Sequence, residues 1–397
     1  MSKHPGSLEK QYCIGCGLCK SRFGADKADV VLNEKGFYEP CLHLTQEEYA
    51  TFQGFCPVNV PPGQYSSQVW GERKHVCLGH AANEEVRLKA SSGGVLTAVC
   101  GFLLQSGLVE GIIQLGDSER PLYKTSRISR NLDELLQCAG SRYVAAMPLE
   151  QVLQMLEAHP EQKFALVGRP CDIRAMRSYL RNHPQIQPQL VCLLSFFCAG
   201  TPSVNASKRM IAQMGADEKK VTHVSYRGNG WPGYSTVRDM DGKEYTMDYE
   251  ASWGRILGRD IYRGCRLCYD GIGEEADISC GDAWYLDENG KVTFDERPGR
   301  NVIFARTEIG ARILQQAQAQ GWILCEDFDE RLLNKMQPFQ YVRKAQLYYK
   351  LLALRTIGRD TPAVQLSKIR HHCKRLSLKE SARMYLGTIR RALQNKM

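Results

Sequence analysis

No run of about 18 uninterrupted apolar residues occurs in the 397-residue sequence, so no transmembrane helix is expected. The segment 1–10 lacks the apolar stretch of a secretory signal, which makes a cytoplasmic protein the expectation. The 35 glycines follow no triplet period, which excludes collagen. No internal repeat or low-complexity tract is apparent. A broad basic face is missing as well. Net charge is +9, yet from Lys368 to Met397 nine Lys/Arg face one acid, so this tail carries +8 and everything before it +1. The main body is therefore not expected to bind nucleic acid, which needs an extended basic footprint.

What is present is a chain able to bury a sizeable core, with 43% hydrophobic and 24% charged residues. Its length suggests two or three domains. Residues 1–65 are irregular, rich in Cys, Gly and Pro, and end in Pro61-Pro62-Gly63, which reads as a small module on a stiff connector. Beyond it, strands are expected at 109–115, 163–168, 190–197, 277–282, 301–306 and 322–326. Helices are expected at 94–105, 172–180, 204–214 and 309–320. Asp241-Gly242 marks a hairpin within 221–250. Such alternation of strand and helix points to an α/β (α+β) architecture. The divisions expected are 1–65, 66–335 and a helical basic tail, 336–397.

Sixteen cysteines in a chain expected in a reducing compartment point to metal or redox work. Cys13-Ile-Gly-Cys16-Gly-Leu-Cys19 has the C-x2-C-x2-C spacing of ferredoxins, and Cys56-Pro57 supplies the remote fourth thiolate. Three thiolates in one tight turn reach three corners of an iron–sulfur cubane. The small Gly15 and Gly17 let amides turn inward, and the chain returns once for the last corner. A structural zinc site is the alternative, although zinc ribbons usually carry two C-x2-C pairs. Cys41 competes with Cys56 for the fourth position. A second set is dispersed: Cys171, Cys198, and Cys265-Arg-Leu-Cys268. Cys171 and Cys198 each follow a buried strand, and such strand ends converge on one crevice in α/β sheets. Taken singly, each reads as a small core residue; taken with Cys265 and Cys268, they read equally as a second cluster site. Cys280 is a spare candidate.

Ser91-Ser92-Gly93-Gly94 precedes an apolar helix and offers hydroxyls, close backbone approach and a helix N-terminus to an anion. An ordinary helix cap reads the same way. Arg142 and Arg169 add cations near turns. Tyr226-Arg227-Gly228-Asn229-Gly230-Trp231-Pro232-Gly233 suits a loop lying against a planar ring, and Asp282 sits at a strand end before Ala283-Trp284.

In this order, C-x2-C-x2-C…Cys-Pro, Ser-Ser-Gly-Gly-Val-Leu-Thr-Ala, Gly-Ser-Arg-Tyr, Gly-Arg-Pro-Cys-Asp-Ile, Phe-Phe-Cys-Ala-Gly, the 226–233 loop, Cys-x2-Cys and Ala-Asp-Ile-Ser-Cys-Gly-Asp-Ala-Trp, the chain resembles the coenzyme F-420 hydrogenase/dehydrogenase beta-subunit family over about residues 10–330. Phe-Phe-Cys-Ala-Gly and the 270–274 stretch resemble a subgroup found beside polysaccharide-biosynthesis enzymes. Where the family commonly has Gly-Thr-Pro-Cys, this chain has Gly168-Arg169-Pro170-Cys171. The resemblance implies FAD and two 4Fe-4S clusters. Ser91, Ser92, Gly93, Gly94, Arg142, Arg227 and Trp231 would hold the flavin. Cys171, Cys198, Cys265 and Cys268 match the cluster beside it.

The function expected is an iron–sulfur flavoprotein oxidoreductase. A ferredoxin-like donor would feed the N-terminal cluster, and electrons would reach FAD and then a small organic substrate. Asp282, His223 and Tyr226 are candidate proton donors. A non-catalytic electron-transfer subunit is the alternative. The basic tail carries Ile369, Leu376, Met384, Leu386, Ile389 and Leu393 among its cations. It reads either as a helix packed on the body or as a peripheral membrane contact.

Overall fold

The computed structural model describes residues 7–394. Residues 1–6 and 395–397, the outer ends of the expected N-terminal segment and basic tail, lie outside them. The strands are β1 (Ala28–Leu32), β2 (Tyr38–Leu42), β3 (His75–Ala81), β4 (Gly111–Asp117), β5 (Lys124–Ser129), β6 (Phe164–Gly168), β7 (Leu190–Phe196), β8 (Val221–Ser225), β9 (Ser235–Asp239), β10 (Glu244–Met247), β11 (Ile278–Asp282), β12 (Asn301–Ala305) and β13 (Ile323–Glu326). β1 and β2 make an antiparallel hairpin, and β10-β9-β8 a small antiparallel sheet. The other eight form one sheet in the order β13-β3-β12-β11-β7-β6-β4-β5.

The centre of that sheet is parallel: β4 pairs with β6, β6 with β7, and β7 with β11. Antiparallel strands finish both edges. Central parallel strands are covered on both faces, so their sequences are apolar throughout rather than alternating. Alternate residues nevertheless serve opposite cores. Ala165, Cys192 and Leu194 pack with Val99, Phe102 and Leu103 of the Val95–Gln105 helix. Phe164, Leu166 and Leu193 pack with Ile173, Met176 and Leu180 of the Pro170–Asn182 helix. Because β6, β7 and β11 run side by side in the same direction, their C-terminal ends open on a common crevice.

Three expectations need correction. Residues 7–65 are not irregular: short helices at Ser7–Tyr12 and Leu18–Phe23, the β1–β2 hairpin and the Gln46–Gln53 helix order them. They have no separate core either, since Leu18, Val30, Phe52 and Phe55 join the cluster that contains Leu166 and Met176. The Pro61-Pro62-Gly63 stretch is docked rather than free, with the Gly63 amide donating to Glu275 Oε1 at 3.1 Å.

The tail is helical, with Pro338–Thr356, Leu366–Cys373 and Leu378–Leu393. It is built into the body. Leu347, Leu351 and Leu354 pack with Tyr12, Val58, Leu267 and Tyr269. The buried Lys344 ammonium donates to Glu274 Oε1 at 2.6 Å and to the Val69 carbonyl at 2.9 Å. Asp270 fixes the turn that presents Glu274 by accepting from the amides of Ile272, Gly273 and Glu274. Among the described residues no helix is long and apolar enough to cross a membrane.

Candidate functional site

Cys13, Cys16, Cys19 and Cys56 line one small hollow closed by Ile14, Val30, Pro40, Phe52, Phe55 and Val58. Gly15 (φ +63°) and Gly17 (φ +82°) take left-handed conformations that let the loop turn this tightly. The Gly15 amide donates to Cys13 Sγ at 3.3 Å. The Cys16 carbonyl accepts from the Leu149 amide at 2.8 Å, which pins the loop to the body. Arg174 donates to the Pro57 carbonyl at 2.8 Å and fixes the Cys56 turn. Cys41 is exposed on β2, with its sulfur 3.4 Å from His43 Nε2, and does not line the hollow.

Burial pushes the Cys13 thiol up to about 11 and Cys19 to about 12, and raises Cys16 and Cys56 well above the usual thiol range. The Cys13 charge adds to the rise at the other three. Four mutually repelling, desolvated thiols become thiolates together only when a positive centre lies among them. Among the described residues no three His, Cys, Asp or Glu side chains gather around the position of a single ion. Four thiolates are the donor set of a 4Fe-4S cluster and also of a structural zinc site.

The second set is assembled from separate elements. Cys171 lies on the first turn after β6, Cys198 just beyond β7, and Cys265 and Cys268 on and after the Arg263–Arg266 turn. Burial raises Cys171 well above the thiol range, raises Cys198, and pushes Cys265 to about 12. Cys198 and Cys268 contribute to the rises at both Cys171 and Cys265, so the four sites share one region. Arg343 donates to the Cys198 carbonyl at 2.8 Å, and its guanidinium also meets Cys268.

Arg169 stands between the two sets. Its Nε and Nη2 donate to Asp172 at 2.7 and 2.8 Å, and Nη1 donates to Thr201 Oγ1 at 3.1 Å. Nη2 also reaches the Gly15 carbonyl at 3.4 Å. Its charge opposes the burial effect at Cys13 as well as at Cys171, Cys198 and Cys265.

Over the strand ends lies a cavity of about 1300 Å³, larger than the roughly 300–1,000 Å³ of a drug-sized ligand site. Ser91, Ser92, Gly94, Arg142, Arg169, Cys198, Arg227, Cys265 and Asp282 all line it. Gly94 (φ +76°) turns the chain into the Val95–Gln105 helix. Ser92 Oγ donates to the Arg300 carbonyl at 3.0 Å. Ser91 Oγ is buried with no hydrogen-bond partner among the described residues, an orphan that an anion at this helix N-terminus would satisfy. Arg142 is anchored on the Cys138 carbonyl at 2.6 Å and on Asp117 at 3.3 Å. Arg227 grips Asp282 through two bonds of 2.8 and 3.0 Å, and Trp231 Nε1 donates to the same carboxylate at 2.7 Å.

Other expected residues fall outside the lining. Gly93 is packed against Arg300 and Asn301. Trp231 lies one layer back, stacked on the lining residue Trp284 with ring centroids 4.8 Å apart. His223 is exposed on β8, and the buried Tyr226 hydroxyl is engaged by Ser207 at 2.8 Å. Neither borders the cavity, so of the three proton-donor candidates only Asp282 is placed there, already held by Arg227 and Trp231. Trp284, offered by the sequence as an aromatic wall beside Asp282, lines the cavity; sequence reading missed Tyr143, Tyr249 and Trp253, which extend that wall, with the Tyr143 and Trp253 ring centroids 4.6 Å apart. It also missed the π-helical turn Glu250–Ile256 that carries Trp253. The wall supplied by the C-terminal helices, including Gln340, Arg343, Lys350 and Arg391, was likewise not anticipated.

Two family profiles match in tandem. They are coenzyme F420 hydrogenase/dehydrogenase beta subunit N-term over residues 76–154 and the corresponding C terminus over residues 161–331. The chain belongs to the coenzyme F420 hydrogenase/dehydrogenase beta-subunit family. Among its relatives is the coenzyme F420 hydrogenase subunit beta of Methanococcus voltae, 22% identical over 303 residues, covering 74% of this chain and 99% of that subunit. The F420-dependent formate dehydrogenase 1 subunit beta of Methanococcus maripaludis is 26% identical, covering 61% of this chain and 59% of that one. The coenzyme F420-dependent sulfite reductase of Methanocaldococcus jannaschii is 25% identical, covering 64% of this chain but 39% of that protein. A chain from the F420-reducing [NiFe] hydrogenase complex of Methanosarcina barkeri shares the fold, with a TM-score of 0.55 and 20% identity over 72% of this chain and 94% of that one. The family profiles end at residue 331, so the C-terminal helices that wall the cavity lie beyond them.

Proposed function

We propose that this family member is an iron–sulfur flavoprotein oxidoreductase of the cytoplasm. The observation that carries the reading is that Cys198 and Cys265 of the second set line one large cavity together with Arg169, whose guanidinium also reaches the Gly15 carbonyl in the loop of the first set. Cys13, Cys16, Cys19 and Cys56 would hold one 4Fe-4S cluster, and Cys171, Cys198, Cys265 and Cys268 the other. FAD would occupy the cavity against Ser91, Ser92, Arg142 and the Arg227 loop. When bound, the clusters supply single-electron transfer and the flavin exchanges single electrons for pairs. The protein's own groups do the rest. The Ser91–Gly94 turn offers a hydroxyl and helix-terminal amides to a phosphate. The Arg227–Asp282–Trp231 arrangement holds the cavity floor rigid, and the aromatic wall excludes water. That all sixteen cysteines are free supports a reducing compartment.

Anaerobic purification tests this reading. Brown protein with FAD, acid-labile sulfide and about eight irons per chain is expected. Colourless protein containing zinc would refute it. Cys13→Ser should block reduction by a ferredoxin-like donor while FAD stays bound.

The second reading, an electron-transfer subunit without its own substrate, draws support from the near-complete coverage of the Methanococcus voltae subunit. Reoxidation of the photoreduced protein by a small organic substrate, such as a precursor in polysaccharide synthesis, separates the two readings.

The Leu378–Leu393 helix supports a peripheral contact with an anionic membrane. It turns Ser381, Thr388 and Ala392 inward and leaves Leu378, Leu386 and Leu393 exposed beside Lys379, Arg383 and Arg390. Flotation with phosphatidylserine vesicles should follow this helix; equal flotation of a Leu378/Leu386/Leu393→Ser triple variant would remove the contact.

A further inference from the structure

The cavity lining is strongly asymmetric in charge. Its only carboxylates, Asp172, Glu250 and Asp282, are each tied to an arginine: Arg169, Arg255 and Arg227 respectively. The lining also includes Arg266, Arg343, Lys350 and Arg391, contributed by the Arg263–Arg266 turn and by two of the C-terminal helices. Arg343 and Lys350 are seven residues apart on one helix and so share a face. Arg343, Arg391 and Arg266 are the charges that act on Lys350, and none of them is negative. Arg266 and Arg391 have neutral polar partners, the Arg259 carbonyl and Thr388 Oγ1, whereas Arg343 donates to the Cys198 carbonyl and also meets the Cys268 thiol. Among the described residues no carboxylate pairs with any of the four. Burial together with these arginines lowers Lys350 to about 8. Holding like charges together inside a cavity is unfavourable unless an anion completes the arrangement.

We propose that Arg266, Arg343, Lys350 and Arg391 form the recognition subsite for a polyanionic, phosphoryl-bearing substrate, which enters from the side of the C-terminal helices. The word substrate rests on the oxidoreductase reading above, whereas the anion site stands on the cavity alone. Arg266, Arg343 and Arg391 offer forked donors that match phosphoryl oxygens, and Lys350 adds a point charge. Because three of the four side chains come from residues beyond the family profiles, the subsite would distinguish this chain from relatives that lack these helices.

The test is pyrophosphate binding to the full-length, anaerobically purified protein, read by calorimetry at low salt, with glutarate as a carboxylate-only control. Wild type should bind pyrophosphate in preference to glutarate. The Lys350→Gln/Arg391→Gln variant should bind it at least roughly tenfold more weakly, with FAD content and visible spectrum unchanged. Lys350→Arg should retain binding, which controls for misfolding. Unchanged pyrophosphate affinity in the double variant would overturn the proposal. So would loss of FAD from a folded double variant, since the cations would then serve the cofactor's own phosphates. Protein that lacks FAD yet binds pyrophosphate through Lys350 and Arg391 would uphold the anion site while refuting the flavin reading.

Discussion

The two four-cysteine regions are assembled by opposite routes. In the first, three thiols come from seven consecutive residues, and only Cys56 arrives from elsewhere. Short-range geometry does most of the positioning, through two left-handed glycines and one pinned carbonyl. In the second, Cys171, Cys198 and the Cys265–Cys268 turn are brought together by the order of β6 and β7 in the sheet and by the docking of a C-terminal helix through Arg343. A local site is robust to events elsewhere in the fold, whereas a site made from topology reports on the whole fold.

The sharpest way to break this contrast is to remove one thiol from each region. Cys198→Ser should cost about half the iron and also the flavin, with a lower thermal midpoint. Cys13→Ser should cost about half the iron and donor-driven reduction, with flavin and thermal midpoint little changed. Iron analysis, flavin release and melting curves check both, and identical behaviour of the two variants would end the distinction.

Next in size is the buried pair that bridges the regions. Asp172→Asn leaves the Arg169 guanidinium without its carboxylate and should destabilise the fold by about 3–5 kcal/mol. Urea unfolding measures it; a change below about 1 kcal/mol would mean that water reaches the pair.

A pH dependence sharpens the role of the tail. Burial, helped by Lys344, His371 and Arg375, lowers the fully buried His372 from 6.5 to about 3. The unfolded chain then binds more protons than the folded one between those values, so His372 contributes stability above about pH 6.5 that is lost as pH falls toward 3. His372→Gln should flatten the urea midpoint across this window, and an equally steep slope in the variant would assign the loss to other groups. The smallest effect is expected at Ser91. Its hydroxyl has no partner in the protein to lose, so Ser91→Ala should weaken FAD retention by about 1 kcal/mol without changing the melting temperature. Fluorescence of released flavin during dialysis measures it.

Legibility followed the same divide. The N-terminal triplet is readable because its spacing is itself the geometry. The central strands are readable because strands buried on both faces carry unbroken apolar runs, as Phe164–Gly168 and Leu190–Phe196 do. β3 escaped notice because His75, Gly79 and His80 interrupt its apolar residues, and only its two antiparallel neighbours make it a strand. Tyr226 and His223 looked reactive beside the Arg227 loop. A one-residue step along an extended chain reverses the side of projection, and Tyr226 turns to Ser207. The cavity's cationic wall was hidden because Arg343 and Lys350 lie about eighty residues beyond the nearest cysteine they approach, and isolated cations in a helix read as solvated.

The placement of the Pro338–Thr356 and Leu378–Leu393 helices has a bearing on biogenesis. A nascent chain emerges from its N-terminus, so the sheet and both cysteine regions are made before the segment that roofs the crevice. The strand side of the crevice is thus complete before the helices that roof it are made, an interval in which a bulky guest has open access.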